Sequence, residues 1–176
     1  MTRFAATGSR SRGVTMHAFT PDHALPKPEL YRELVTAADS ITSGEPDGTA
    51  NMANVAALIW QFVPDLNWAG FYRVLAGELV LGPFCGKPAC IRIPLGHGVC
   101  GTAAAEAKTQ RVPDVQAFPG HIACDAASRS ELVVPVTRES GAVIAVIDLD
   151  SPFADRFDAD DQAGMEALAA LVATRI

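Results

Sequence analysis

Apolar residues return every three or four positions in two stretches near the start of the chain, a spacing that predicts amphipathic helices. Pro28 suits the first turn of the first helix, since its missing N–H has no helical acceptor there. Asp47 or Thr49 can cap the second helix, which Pro64 ends. The buried stripes are expected to comprise Leu30, Leu34, Val35, Ala38 and Ile41, then Met52, Val55, Leu58, Ile59 and Phe62.

The pattern changes in the middle of the chain to aromatic and β-branched runs broken by turn residues. Such runs predict two β-hairpins, one turning at 76–78 and the other at 139–141. A short Ala-rich stretch between the hairpins predicts a small helix. The expected strands are 67–75, 79–81, 91–95, 131–137 and 142–150, with the small helix over 99–107 and a loop over 112–125.

The final segment predicts a helix over 159–173, with Asp158 as its N-cap and Asp161 completing a capping box. Two hairpins and terminal helices predict an α+β fold, in which the helices pack on a largely antiparallel sheet. Residues 29–176 are expected to form a single domain. Residues 1–28 are expected to be a flexible extension, and their composition leaves open a tail, a later start or a targeting segment.

Composition narrows the class of protein. The 176 residues, 49% of them hydrophobic, suffice for one core. The formal net charge of −6 excludes a dedicated nucleic-acid binder, which needs clustered cations, and gives no reason to expect adhesion to an anionic membrane. No apolar run approaches the ~18 residues of a spanning helix. We therefore expect a soluble, cytoplasmic protein.

Four cysteines fall within forty consecutive positions, at Cys85, Cys90, Cys100 and Cys124. A chain of this length folds without disulfides, so the cluster indicates metal binding or thiol chemistry. Cys124 lies in a loop rich in Gly, His, Asp and Ser, and Cys90 follows a turn at 86–88. An attacking thiol and a resolving thiol on flexible segments are what peroxide or sulfoxide chemistry requires. Taken singly, each cysteine can instead be a small buried hydrophobe.

Three other types of site remain open at this point. The G-x-G-x-x-G pattern at 96–101 resembles a dinucleotide-binding turn, but the helix after it is too short for that fold. A helix N-terminus there favours an anion or a thiolate at Cys100. A Cys–His hydrolase could pair Cys124 with His121 or His97. A zinc site, without any C-x-x-C pair, would have to use Cys90, His97, Cys100, His121 and Cys124.

Acidic residues alternate at the end of the last predicted strand. Asp148 and Asp150 therefore point to one face of the sheet, and Glu131 can join them across the hairpin. Neighbouring carboxylates in a dry site raise each other's pKa, which lets a carboxyl group keep a proton to donate. The alternative is a solvated strand end.

Five motifs in order carry a resemblance to a known family. Together they closely resemble the GAF-domain free methionine-(R)-sulfoxide reductases, from about Leu30 to the C-terminus. The motifs are Asn67-Trp68-Ala69-Gly70-Phe71-Tyr72, Leu81-Gly82-Pro83-Phe84, Gly98-Val99-Cys100-Gly101, Gly120-His121-Ile122-Ala123-Cys124-Asp125 and Ile147-Asp148-Leu149-Asp150-Ser151.

The resemblance implies a GAF-like fold, a central antiparallel sheet flanked by helices with the ligand pocket over one face. It implies reduction of the free amino acid and not of protein-bound methionine sulfoxide. Cys124 matches the sulfoxide-attacking cysteine, Cys90 the principal resolving cysteine in the loop over the pocket, and Cys100 a further cysteine of disulfide exchange. Cys85 matches no functional position of the family.

The resemblance also implies the substrate contacts and the partners. Glu131, Asp148 and Asp150 match the acids that bind the substrate and polarise its S–O group, and Trp68 and Tyr72 match the aromatic wall. Attack by the cysteine thiolate leaves a sulfenic acid, a disulfide follows, and thioredoxin regenerates the thiols. No metal or organic cofactor is required, and a homodimer is allowed. The alternative is a GAF module that senses a small molecule without turnover, which has no use for paired thiols.

Overall fold

The computed structural model describes residues 19–120 and 126–176, which form a six-stranded sheet and four α-helices. The expected α+β architecture is thereby confirmed. A single 3₁₀ turn, Val115–Ala117, joins the later strands. The elements are α1 (Lys27–Thr42), α2 (Gly48–Phe62), β1 (Trp68–Leu75), β2 (Glu78–Gly86), β3 (Arg92–Pro94), α3 (Gly98–Glu106), β4 (Gln110–Val112), β5 (Ser130–Thr137), β6 (Val143–Ser151) and α4 (Ala159–Val172).

The strands lie in the order β3-β2-β1-β6-β5-β4, and every neighbouring pair is antiparallel. Both predicted hairpins are present. In the first turn Ala76 and Gly77 both have positive φ, the conformation that a tight two-residue hairpin turn requires. The sequence breaks between β-rich runs therefore mark the turns correctly.

One face of the sheet carries most of the hydrophobic core. Helices α1, α2 and α4 cover it, as the sequence predicted for the terminal helices, and Leu34, Ile59 and Met165 are fully buried there. The sheet meets them with alternate residues of its central strands, because successive strand side chains point to opposite faces. These residues are Ala69, Phe71, Leu132, Val134, Val136, Ala145, Ile147 and Leu149.

The other face is covered more thinly. Helix α3, nine residues long, packs on it beside the segment that connects β2 to β3. The buried sheet residues of this second core are Trp68, Tyr72, Leu79, Ile93, Val112, Val133 and Val146. Polar side chains also lie on this face, which makes it the candidate functional face of the sheet.

Two elements differ from the sequence prediction. Strand β2 runs on to Gly86, well beyond residue 81, because a register shift opposite Gly70–Tyr72 accommodates the extra residue that Pro83 and its neighbours add. A short strand, β4, precedes the loop predicted over 112–125, overlaps it at Val112 and pairs with β5. Only three residues long, β4 is too short for an alternating pattern to show.

The segment before α1 also contacts the core. Phe19 and Leu25, which belong to the predicted extension, pack against the three-helix face, and α1 begins at Lys27. The domain boundary at residue 28 stays a prediction. Among the helices in the described ranges 19–120 and 126–176, none is both long and apolar enough to cross a bilayer.

A buried carboxylate joins α1 to α4. Asp161 is 1% exposed and accepts hydrogen bonds from Lys27 at 2.6 Å, from the Tyr31 hydroxyl at 2.9 Å and from Arg156 at 3.1 Å. It also accepts from the backbone N–H of Asp158, which completes the predicted capping box. Removing a buried carboxylate that accepts this many hydrogen bonds is costly, since each donor would be left without its partner.

Replacing Asp161 should therefore destabilise the fold. Asp161→Ala is expected to lower the free energy of unfolding by about 3–5 kcal/mol, because Arg156 and Lys27 lose a buried partner. The matched control Asp160→Ala removes an exposed acid from the same helical turn and should change it by less than about 0.5 kcal/mol. Urea unfolding followed by circular dichroism at pH 7 measures both. Equal losses in the two variants would contradict the network's role.

Candidate active site

Strand register brings three acidic residues to the thinly covered face. Glu131 on β5 lies opposite Asp150 on β6, and Asp148 lies one step along the same face, opposite Val133. The predicted sharing of a face is confirmed, and Glu131 joins the two aspartates across the hairpin as expected. Strand β1 places Trp68 opposite Asp150 on the other side of β6, so aromatic and acidic side chains share this face.

Two of the acids are buried. Glu131 and Asp148 are each 6% exposed, whereas Asp150 is half-buried at the end of β6. Within the described residues, the Oδ1 atom of Asp148 has no hydrogen-bond partner although it is shielded from solvent. An acceptor left in this state is costly unless a ligand or a proton satisfies it. The solvated strand end considered from the sequence is therefore excluded for Asp148.

Burial changes the protonation of this pair. Loss of water is the main cause of a raised pKa at both groups: it raises the pKa of Asp148 to about 7 and that of Glu131 well above its usual range. The charges of Asp148 and Asp150 raise the Glu131 pKa further, while hydrogen bonds from Cys100 and Glu131 oppose the shift at Asp148. The two carboxyl groups titrate as a unit and retain a proton at neutral pH.

Helix α3 places Cys100 against these acids. Its thiol is 4% exposed and donates to the Glu131 carboxyl over a Sγ–Oε1 distance of 3.8 Å. Desolvation is the main cause of a pKa well above the ordinary thiol value, and the charges of Asp148 and Glu131 add to it. The expectation of a thiolate at Cys100 is therefore wrong, because burial and two acids outweigh the dipole of one short helix.

The same three residues have the donor atoms of a cation site. Cys100 Sγ and one carboxylate oxygen each of Glu131 and Asp148 lie within 4.8 Å of one another. A thiolate and two carboxylates are ligands that Zn²⁺ accepts. Of the zinc ligands considered from the sequence, Cys100 belongs to this cluster. His97 is the exposed N-cap residue of α3 and does not belong to it. The raised pKa values mean that protons compete with a cation for these same atoms.

An aromatic wall stands beside the acids. The Trp68 ring stacks with the Tyr72 ring at 5.8 Å between centroids and with the Phe84 ring at 5.3 Å. Gly70 makes this stack possible, because a Cβ there would lie 2.4 Å from Phe84 Cβ and 2.8 Å from the indole ring. Trp68 and Tyr72 were predicted to form this wall, whereas Phe84 was missed as a member of it. No local signal places it there, because Phe84 comes to lie opposite Gly70 only through the register shift between β1 and β2.

The loop that carries Cys90 lies over the aromatic wall. The Trp68 indole donates to the Lys87 carbonyl at 3.1 Å, and the Tyr72 hydroxyl donates to the Cys90 carbonyl at 3.0 Å. Cys90 is half-buried and packs against the second core. Cys85, by contrast, lies opposite Ala69 and so points to the other face of the sheet. The structure therefore separates Cys85 from the acids, the wall and Cys90.

Cys124 and its neighbours His121 and Asp125 lie outside the described residues. The chain is described up to Gly120 and again from Ala126, four residues before β5 begins and five before Glu131. The predicted attacking cysteine is thus close in sequence to Glu131, and its role stays a prediction. The hydrolase alternative depends on the same residues and is equally untested.

Known proteins are similar to this chain in sequence and in fold. The family model for the GAF domain matches residues 49–176. A free methionine-R-sulfoxide reductase of Escherichia coli is 47% identical over 144 residues, which cover 82% of this chain and 87% of the relative. The solved structure of a free methionine-R-sulfoxide reductase from Neisseria meningitidis with its substrate has a TM-score of 0.86 at 44% identity, covering 91% of this chain and 95% of that one.

One similar structure carries a different description. A protein of Burkholderia vietnamiensis described as a GAF sensor is 56% identical, with a TM-score of 0.83, and the match covers 86% of this chain and 96% of that one. The two descriptions correspond to the two functions that the sequence left open. The matches agree on the family: this chain belongs to the GAF domain family, in the group that includes the free methionine-R-sulfoxide reductases.

Proposed function

We propose that this protein reduces free methionine (R)-sulfoxide to methionine. The observation that carries the proposal is a buried carboxyl pair that keeps a proton on the same sheet face as an aromatic wall and below a cysteine-bearing loop. A sulfoxide oxygen leaves only when protonated, so a proton donor in a dry site is what the reaction needs. Relatives at 43–47% identity that bear this activity as their name support the assignment.

The arrangement of the site suggests how the substrate lies. The sulfoxide oxygen accepts a hydrogen bond from the protonated carboxyl pair, and the ammonium group of the free amino acid donates to the ionised acids among Glu131, Asp148 and Asp150. The unpartnered Oδ1 atom of Asp148 is an acceptor for the ammonium group. The methyl group and the sulfur, which gains positive character as the oxygen is protonated, lie against Trp68 and Tyr72, where the ring faces stabilise a developing cation.

Cys124 supplies the electrons in this proposal. Its thiolate attacks the sulfoxide while the carboxyl pair donates a proton to the oxygen. The substrate sulfur gains two electrons and leaves as methionine, and the oxygen remains on Cys124 as a sulfenic acid. The thiol of Cys90 then forms a disulfide with Cys124 and releases water. Cys100, which is buried against Glu131, supports the carboxyl pair through its hydrogen bond, and its exchange into the disulfide stays a prediction.

A dithiol reductant must then restore the two thiols. We propose thioredoxin, because its potential of about −270 mV is low enough to reduce a catalytic disulfide that has to turn over. Thiol–disulfide exchange carries the two electrons through a mixed disulfide, so every electron that reaches the sulfoxide originates in this partner. The chemistry needs no metal ion and no organic cofactor.

The nucleophile can be tested with two matched cysteine variants. Cys124→Ser should abolish thioredoxin-coupled NADPH oxidation with free methionine (R)-sulfoxide, because a hydroxyl cannot accept the oxygen. Cys85→Ser should retain turnover within about twofold, since Cys85 points to the opposite face of the sheet. Persistent turnover in Cys124→Ser would assign the nucleophile to another cysteine.

A separate count of free thiols, made without reductant, distinguishes the sensor function from the reductase. A reductase loses two thiols per chain when methionine (R)-sulfoxide is added without reductant, whereas a sensor binds the ligand and loses none. The similarity to a protein described as a GAF sensor is the observation that keeps this second function under test. Binding without thiol loss in a folded, reduced protein would establish the sensor.

The carboxyl pair can be tested with an isosteric change on the same hairpin. Glu131→Gln should lower kcat/KM at least about a hundredfold, because it removes a buried proton donor from the pair. Glu139→Gln alters an exposed glutamate in the β5–β6 turn and should leave kcat/KM within about twofold. Methionine release under single-turnover conditions measures the step directly. Similar values for the two variants would exclude Glu131 from the chemistry.

The pH dependence follows from the raised pKa values. A donor must be protonated to act, so kcat/KM should fall as the pH rises above about 7 and the pair with the raised pKa loses its proton. Single-turnover rates between pH 5.5 and 9.5 measure the profile. A profile that rises throughout this range would contradict a proton held by the pair.

A further inference from the structure

The loop between β2 and β3 is held at both ends. It leaves β2 at Gly86, whose φ of +129° is a conformation that glycine adopts readily and other residues rarely do. A Cβ at this position would also lie 2.8 Å from the Trp68 ring. It returns at Ile91, whose carbonyl accepts a hydrogen bond from the Leu81 N–H at 2.9 Å. The four residues between these anchors, 87–90, form a short arch that ends at Cys90.

Two aromatic side chains hold this arch by their polar ends. The Trp68 Nε1–H binds the carbonyl of Lys87, the first residue of the arch, and the Tyr72 hydroxyl binds the carbonyl of Cys90, the last. Both side chains are at most 3% exposed, and their rings stack on each other. Their positions are thus set by the sheet, and the arch is positioned from below by fixed donors.

We infer that Trp68 and Tyr72 are positioning residues that hold the Cys90 loop closed over the aromatic wall through these two hydrogen bonds. The same side chains form the wall beside the acid pair, so they serve both the proposed substrate site and the placement of the proposed resolving thiol. The loop contact itself does not depend on the reductase activity. Its consequence for disulfide formation rests on the proposed function.

Loop opening can be measured without turnover as the rate at which iodoacetamide alkylates Cys90. A thiol shielded by a closed loop reacts in proportion to the fraction of time that the loop is open. Tyr72→Phe removes one hydroxyl and Trp68→Phe removes one N–H, and both keep an aromatic ring. Loss of one such hydrogen bond should speed the alkylation of Cys90 about two- to tenfold.

The chain offers a matched control for each variant, since it contains two tyrosines and two tryptophans. Tyr31→Phe removes a hydroxyl that binds Asp161 on the opposite side of the sheet, and Trp60→Phe alters a half-exposed ring on α2. Neither side chain donates to the 87–90 arch. Both controls should leave the Cys90 rate within about 1.5-fold of the unmodified protein.

Cys85 serves as an internal control for unfolding. It shares one tryptic peptide with Cys90, residues 74–92, because trypsin does not cleave before Pro88, and fragment ions assign the label to either cysteine. Cys85 lies within β2 and faces away from the pocket. Local opening of the arch raises the Cys90 rate alone, whereas global destabilisation raises both rates.

Faster alkylation of Cys90 in Tyr72→Phe and Trp68→Phe, with the Cys85 rate unchanged, is the expected result. The inference is overturned if both variants alkylate Cys90 at the rate of the unmodified protein, or if the rates at Cys85 and Cys90 rise together. Should one variant fail to fold by circular dichroism, the other still decides the question. Because no substrate is present, absence of turnover in the coupled assay would refute the proposed function and leave this result standing.

Discussion

Burial of two carboxyl groups side by side in the middle of a sheet is the constraint on which the rest of the site depends. Glu131 and Asp148 lie on the two strands of the β5–β6 hairpin, where apolar residues would cost far less. Such a pair is tolerated because it keeps a proton, and it keeps a proton because water is excluded. Every element on this face therefore has to contribute to excluding water.

Helix α3 and the Cys90 loop exclude water from two parts of the site. Helix α3 covers the acids with Cys100, whose raised pKa keeps the thiol protonated and able to donate to Glu131. The loop covers the aromatic wall and is fastened to it by Trp68 and Tyr72. A short helix and a four-residue arch give little stability of their own. The three-helix core on the opposite face, tied together by Asp161, supplies it.

Much of this arrangement could be predicted from local patterns. The capping box at Asp158 and Asp161, the turn at Gly77 and the alternation of Asp148 with Asp150 depend on neighbours within a few residues, and all three are confirmed. The resemblance supplied the family, which is confirmed, and roles for the acids that stay predictions. What local patterns do not contain is burial, which is a property of the assembled fold. The thiolate expected at Cys100 was wrong for that reason.

Phe84 and Cys85 show the same limit at neighbouring positions. Which of the two faces the pocket depends on the register of β1 with β2, and a one-residue shift exchanges their faces. The structure contains a register shift opposite Gly70–Tyr72, so alternation counted from the hairpin turn assigns the wrong face to this end of β2. Close contact of Gly70 with Phe84 holds the strands in register there.

This detail determines which thiol can serve the chemistry. With Phe84 against Trp68, Cys85 is directed away from the acids, and the chain must pass Gly86 before a second cysteine can reach the pocket side. The proposed resolving thiol, Cys90, is therefore on a loop and not on a strand. A strand cysteine is fixed by the sheet ladder, whereas a loop cysteine can move toward a sulfenic acid and back. The two hydrogen bonds from the aromatic wall limit that movement without preventing it, since each is worth only about 0.5–1.5 kcal/mol.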